Sequence, residues 1–389
     1  MKQYNNAFRE IERPFAWVDL EQLDANITTL SLLAKDKKVR IATKSIRSFG
    51  MLEYLQENMP YFNGWMTFTA QETVYLAERG LDNFLIGYPV MEKKVVTEAC
   101  EWVHKGKSIT FMVDDLQQAG WLNAIAESQD IVASVCIDIN LSLPTPFVYF
   151  GTRRSSITNM EQFLQFIEQL QAMRNIKITG LMGYEAQLAG VGNAPNNMLK
   201  GVVIRQLQKY SKSKIADFRR RTVFKLKQEI DTIEFVNGGG TGSLDFTATS
   251  REVTEVTIGS GFYKPGLFDF YQKSELQPAA GFALRATRKP TVDTIVCHGG
   301  GYLASGPIDK ERQPTIVSPG LTFYPTEGAG EVQTPLKMQA NSYDIGDTIY
   351  FRHAKAGELC ERFNELHLVR KGKYKGSYKT YRGDSQCFL

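Results

Sequence analysis

The first group in this sequence that could do covalent chemistry is a lysine placed just after an apolar run. In Arg40-Ile41-Ala42-Thr43-Lys44-Ser45 the strand-forming residues end and Lys44 follows. At the mouth of a barrel, partial desolvation lowers an ammonium's pKa and leaves a neutral, nucleophilic amine. The plainer reading is a lysine whose charged end runs out to solvent.

Two glycine-rich runs stand out beside it, Val236-Asn237-Gly238-Gly239-Gly240-Thr241-Gly242-Ser243 and Ile258-Gly259-Ser260-Gly261-Phe262-Tyr263. Glycines allow close backbone approach, so clustered N–H groups can surround a phosphate dianion. Thr241, Ser243 and Ser260 add hydroxyl donors. Neither run continues into Lys-Ser/Thr, which argues against a nucleoside triphosphate loop. The alternative is that each is only a tight turn after a strand. Taken together, a Schiff-base amine and a phosphate cup on one face describe a pyridoxal phosphate site.

The elements that must position these groups read as an α/β fold. Eight short apolar runs alternate with amphipathic stretches, as a (β/α)8 TIM barrel requires. They end near Arg40–Thr43, Gly64–Phe68, Phe84–Ile86, Ile109–Val113, Val132–Ile139, Ile176–Met182, Thr232–Val236 and Val253–Ile258. The glycine runs then follow strands seven and eight, where such barrels often hold phosphate. Helices are expected at Asp24–Leu33, Gln71–Glu78, Met160–Met173 and Leu199–Lys227. In the first, Leu23, Ile27, Leu30 and the Leu32–Leu33 pair would face the barrel.

An extra strand, Phe15–Leu20, lies outside the eight. After about Phe270 the chain turns to short strands and turn residues, predicting a C-terminal β-domain. The expected division is a barrel over 25–272 and a β-rich domain from 1–24 and 273–389. The basic run Arg370–Tyr381 reads as a solvated hairpin.

Composition narrows the function classes. Of 389 residues, Lys+Arg number 46 and Asp+Glu 42, a balance that argues against a nucleic-acid or membrane-surface partner. Five scattered cysteines without CxxC spacing point to a reducing compartment. No apolar run spans a bilayer and the first residues lack a signal-peptide core, so a cytoplasmic location is expected.

With these residues in view, the chain resembles the fold-type III pyridoxal-phosphate enzymes of the alanine racemase barrel. It looks most like their D-threonine aldolase and D-serine dehydratase branch, often labelled amino acid deaminase/aldolase. The resemblance runs from Ala16-Trp17-Val18-Asp19-Leu20, with Leu23 and Asn26, through Ala42-Thr43-Lys44-Ser45 to the glycine loops and the β-domain.

By this resemblance Lys44 forms the internal Schiff base. Gly239, Gly240, Thr241, Gly242, Gly259 and Ser260 would hold the cofactor phosphate, with Tyr263 as a further contact. Tyr184 falls where relatives place an aromatic ring against the pyridine, although a core tyrosine is the plain alternative. Tyr149 would approach the phenolic oxygen.

Two departures matter. Alanine racemases carry an arginine facing the pyridine nitrogen, and here the position is Thr257. Its hydroxyl could accept from a protonated nitrogen or donate to a neutral one. Relatives also bind a divalent metal through a C-terminal histidine and a Cys or Asp two residues on. Here His353 is followed by Lys355, a poor ligand while protonated. Substitute partners would be Glu331, Glu358, Cys360 or His298; otherwise His353 serves without metal.

The implied activity is a lyase on a D-configured β-hydroxy amino acid, with Lys44 and His353 as the candidate bases. A racemase is the alternative within the class, and a non-catalytic pyridoxal phosphate carrier the alternative outside it. Relatives of this shape form head-to-tail homodimers.

Overall fold

The structure is a computed structural model describing residues 2–145, 149–272, 274–307 and 309–389. Eight parallel strands close into a barrel: Lys38–Ala42, Phe62–Thr67, Phe84–Ile86, Ile109–Val113, Ala133–Ile139, Ile176–Gly183, Phe235–Gly238 and Glu255–Ile258. The eighth pairs with the first, so the end of the chain's last barrel strand lies beside the turn that carries Lys44. All eight expected strands are present. The seventh starts later than expected, because Asp231 and Thr232 lie in a turn and the ladder begins only at Phe235.

Side-chain volume fills the barrel. Leu85, Met112, Cys136, Met182 and Phe235 form one buried cluster with Met66 packed against it. A Cβ on Gly180 would sit 2.3 Å from the Phe235 ring, so only glycine leaves space for that ring at interior packing density. The interior also holds a charged pair, Arg40 Nε to Glu255 Oε1 at 2.7 Å, with both side chains buried.

The helix Leu20–Ala34 begins at Asp19, whose carboxylate accepts from the Glu21 and Gln22 N–H groups. Its buried stripe is Leu23, Ile27, Leu30 and Ala34. Leu32 and Leu33 instead face outward, 76% and 38% exposed, which corrects the expected apolar face. The 3.6-residue period closes the stripe at Ala34 and rotates the leucine pair away.

Outside the barrel, nine strands form one sheet and two more, Leu143–Pro144 and Tyr149–Phe150, a short hairpin. Phe15–Asp19 lies inside the sheet, antiparallel to Ala280–Thr291 on one side and parallel to Glu365–Arg370 on the other. The extra strand therefore belongs to the β-rich part, as expected. Lys273, at the expected boundary, lies outside the described residues. The basic run is the hairpin of Glu365–Arg370 with Lys373–Lys379.

Polar contacts fasten the sheet to the barrel. Asn26 Nδ2 donates to the Phe262 and Gln277 carbonyls at 2.9 and 2.7 Å. Tyr381 donates to buried Glu72 at 2.8 Å, and Ser48 to the Lys379 carbonyl at 2.7 Å. Among the described residues no helix is long and apolar enough to cross a membrane.

Candidate active site

Lys44 sits in the short 3-10 turn Thr43–Ser45 at the C-terminal end of the first barrel strand. Its Nζ donates to the Tyr88 hydroxyl at 2.6 Å. Tyr88 comes from the loop after the third strand, Phe84–Ile86. The lysine is exposed in the single chain, so the desolvation expected of it is not supplied by this fold alone. Burial would raise the Tyr88 phenol, but the Lys44 charge and hydrogen bond, helped by Arg154, hold it below its ordinary value.

The β-domain reaches the same turn from outside. A Cβ on Gly357, which has φ of +82°, would meet the Lys44 carbonyl oxygen at 1.9 Å. Arg47 Nε donates to that carbonyl at 2.9 Å and also pairs with Glu361. The backbone bearing the lysine is thus held by both parts of the chain.

The two glycine loops meet beside it. Gly261 N–H donates to Thr241 Oγ1 at 3.0 Å, and the Ser45 and Ser260 hydroxyls stand 3.3 Å apart. Thr241–Ser243 form a 3-10 turn, whose opening N–H groups have no partner within the turn itself.

Two expected donors point elsewhere. The Gly239 N–H is bound by Glu185 Oε2 at 2.8 Å. The Ser243 hydroxyl lies under the loop against Gly240 and Glu185, buried to 1% exposure, and does not face outward as a donor. The reason is Glu185. Its carboxylate is fully buried, paired with Arg219, and needs these donors together with the Thr247 hydroxyl at 2.9 Å.

Around the mouth, Tyr184 packs its ring edge 3.1 Å from where a Gly240 Cβ would be. Burial, then Tyr88, pushes its phenol up to about 12, so it stays neutral. Burial, then the neighbouring Asp114, pushes Asp138 up to about 8, against the opposing charge of Arg154. Tyr149 is tied to its own loop: its hydroxyl donates to the Thr152 carbonyl at 3.0 Å and receives Asn140 at 3.3 Å. The short hairpin it belongs to, Leu143–Pro144 with Tyr149–Phe150, closes on its own backbone.

Thr257 is buried in the eighth strand and donates to Asn237 Oδ1 at 2.9 Å.

His353 follows the strand Thr348–Arg352 and is 3% exposed. Neither ring nitrogen makes a well-formed hydrogen bond, although the Ala280 backbone lies near enough to favour the charged form slightly. Burial, then Arg352, lowers it to about 3 and keeps the imidazole neutral. Its ring meets Tyr263 edge-on with centroids 6.3 Å apart. The Tyr263 hydroxyl is likewise buried without a partner. His353 also lines a cleft of about 350 Å³ with Tyr302, Ser305, Lys355, Glu358 and Arg362.

The donors around His353 do not fit a divalent metal. Among the described residues no three His, Cys, Asp or Glu side chains converge. Glu358 is tied to Ser305 and to Lys355, the latter at 3.2 Å. Cys360, whose thiol burial pushes up to about 12, donates to the Ile46 carbonyl. No step is derived through a metal.

Tyr88, Asp138, Arg154, Glu185 and Arg219 were not singled out in the sequence. Gly87-Tyr88 directly after an apolar strand, and Glu185 directly after Tyr184, are the local signals that mark two of them.

Comparison with known proteins places this geometry. The family model described as alanine racemase, N-terminal domain, matches residues 18–265. The chain belongs to that family. A curated relative, the 3-hydroxy-D-aspartate aldolase of Paracoccus denitrificans, is 24% identical over 258 residues. That alignment covers 64% of this chain and 60% of the aldolase, so it spans less than two thirds of the relative's length.

Solved structures extend the likeness over the whole family fold. D-threonine aldolase from Filomicrobium marinum superposes with a TM-score of 0.82 at 17% identity, covering 98% of this chain and 97% of that one. D-threo-3-hydroxyaspartate dehydratase from Delftia sp. HT23 gives 0.78 at 14% identity, covering 96% and 98%. At these identities the likeness speaks for the fold: a barrel of this family with a C-terminal β-domain.

Proposed function

We propose that the chain is a pyridoxal-phosphate-dependent lyase acting on D-amino acids that carry a β-hydroxyl, of the D-threonine aldolase or D-serine dehydratase type. The observation that carries this reading is the contact of Ser45 with Ser260, which puts the turn bearing Lys44 against the glycine cup. Relatives named for 3-hydroxy-D-aspartate, D-threonine and D-threo-3-hydroxyaspartate support the substrate class. Residues 25–272 are the cofactor-binding unit, and 1–24 with 273–389 form the part that closes it, in a cytoplasmic homodimer.

The residues present fit the cofactor. The opening N–H groups of Thr241 and Gly242, with Gly259 and Ser260, would hold its phosphate, Tyr184 would offer an aromatic face, and the unpartnered Tyr263 hydroxyl would add a buried donor. When bound, pyridoxal phosphate supplies an aldehyde for amines and a conjugated ring that draws electrons from Cα. Lys44 Nζ would be the amine that holds the cofactor and a base for a proton at Cα, with Tyr88 positioning it through their hydrogen bond. Neutral His353 would accept a hydrogen bond from the β-hydroxyl. Gly357 and Arg47 fix the backbone of the lysine turn.

The test is a spectrum followed by a product assay. Purified protein supplied with pyridoxal phosphate is expected to show a visible band that Lys44→Ala abolishes. D-Threonine or D-3-hydroxyaspartate should then give an aldehyde plus glycine, or a keto acid plus ammonia. Absence of the band overturns the reading; conversion to the opposite enantiomer alone makes the chain a racemase.

A further inference from the structure

One buried chain of polar groups inside the barrel is left unused by the reading above. Arg40 donates twice to Glu255, from Nε to Oε1 at 2.7 Å and from Nη2 to Oε2 at 3.0 Å. Asn63 donates to Glu255 Oε2 and Asn237 Nδ2 to Glu255 Oε1, both at 2.7 Å. Thr257 Oγ1 then donates to Asn237 Oδ1 at 2.9 Å. Arg40, Glu255, Asn237 and Thr257 are 2%, 0%, 1% and 5% exposed, so solvent offers none of them another partner.

Each bond in this chain has only one workable direction. A guanidinium has donors only, and the carboxylate facing it accepts only. The Asn237 amide must therefore turn its NH2 toward Glu255, which leaves Oδ1 toward Thr257. The Thr257 hydrogen is then committed to Asn237, and what its oxygen presents to anything else is lone pairs. Reversing the hydroxyl would leave Asn237 Oδ1 buried without a donor, an arrangement that interiors avoid.

Thr257 lies two residues before Gly259, on the strand between the one that ends in the first glycine loop and the one that leads to Lys44. A ring with its phosphate in the cup and its aldehyde at Lys44 must cross the top of these three strands. Thr257 and Asn237 are inward polar side chains under that crossing. We propose that Thr257 is an acceptor-only contact for the ring nitrogen, so that this chain holds its cofactor with that nitrogen protonated. Asn237 and Glu255 are positioning residues, which act by fixing the direction of the threonine hydroxyl.

The inference rests on pyridoxal phosphate being the cofactor, and the experiment separates the two claims. Holoenzyme is prepared with the cofactor labelled with 15N in the ring, and its nitrogen chemical shift is recorded at neutral pH without substrate. The wild type is expected to give the protonated-nitrogen signal. Thr257→Val should lose it and Thr257→Ser keep it, with the visible band retained in both. A neutral nitrogen in the wild type, or an unchanged signal in Thr257→Val, overturns the inference. If Thr257→Val fails to fold, the wild-type shift still decides. Failure of the wild type to form any Lys44-dependent band would instead remove the cofactor reading itself.

Discussion

The glycine cup and the His353 cleft treat buried polar atoms in opposite ways. Beneath the cup, Glu185 receives Gly239, Thr247 and Arg219, and every one of those groups is accounted for. Behind the cleft, the Tyr263 hydroxyl and both His353 nitrogens are buried without a well-formed bond. Burying a polar group without a partner is unfavourable, so the layer beneath the cup is built for rigidity and the cleft for a ligand. That layer is the scaffold of the cup, and the orphaned pair is where substrate chemistry would meet the β-domain.

The sharpest way to break this contrast is Glu185→Ala. Removing the carboxylate leaves Arg219 only Glu252 at 3.2 Å and Ser250 at 2.9 Å, and strips the Gly239 N–H and Thr247 hydroxyl of their acceptor, so the variant should lose about 3 kcal/mol of stability, read from urea unfolding. A loss no larger than that of a surface substitution would show that the cup does not depend on its buttress.

Next in size is a pH effect at a second satisfied carboxylate, Glu72, which joins barrel and β-domain through Tyr381. Burial raises it from 4.5 to about 7. The folded state then binds the proton more tightly than the unfolded chain, so this group's contribution to stability falls as pH rises from 4.5 through about 7. Glu72→Gln should remove roughly 3 kcal/mol of that fall. The check is the difference in unfolding free energy between wild type and variant across that window, which should be flat if the group does not titrate there.

At the orphaned pair the expected pattern inverts. His353→Phe should cost about 1 kcal/mol or less, since no hydrogen bond is lost, while turnover falls on the order of 100-fold. A stability loss as large as the activity loss would make His353 a packing residue. The smallest expected effect is that of chelation: because Lys355 and Glu358 pair with each other, dialysis against a chelator should leave lyase activity unchanged. Loss of activity restored by a divalent ion would show that the donors rearrange around one.

Much of the scaffold was readable from the chain because its signals are local. Each of the eight strands is a short apolar run bounded by turn residues, and Lys44 and the glycine loops follow such runs directly. The supporting groups were not readable, because their partners are remote. Glu185 is completed by Arg219 from the helix Met198–Glu229, and Tyr88 meets Lys44 from another strand's end. The directions of the Ser243 and Tyr149 hydroxyls were not readable for the same reason: they depend on acceptors that local sequence does not reveal. Leu32 and Leu33 show the complementary error, where apolar type alone overrode helical phase.

The strand Phe15–Asp19 carries a consequence for how the molecule is made. Its residues pair with Ala283 on one side and with Leu366 on the other. It precedes the barrel in the chain, and both of its sheet partners follow the barrel. The barrel, whose strands pair in chain order, can close first, and the early strand then threads between two late ones as the final stitch. Such long-range pairing is slow and leaves apolar Phe15, Trp17 and Val18 uncovered in the meantime, so nascent chains of this protein should depend on chaperones until that stitch is made.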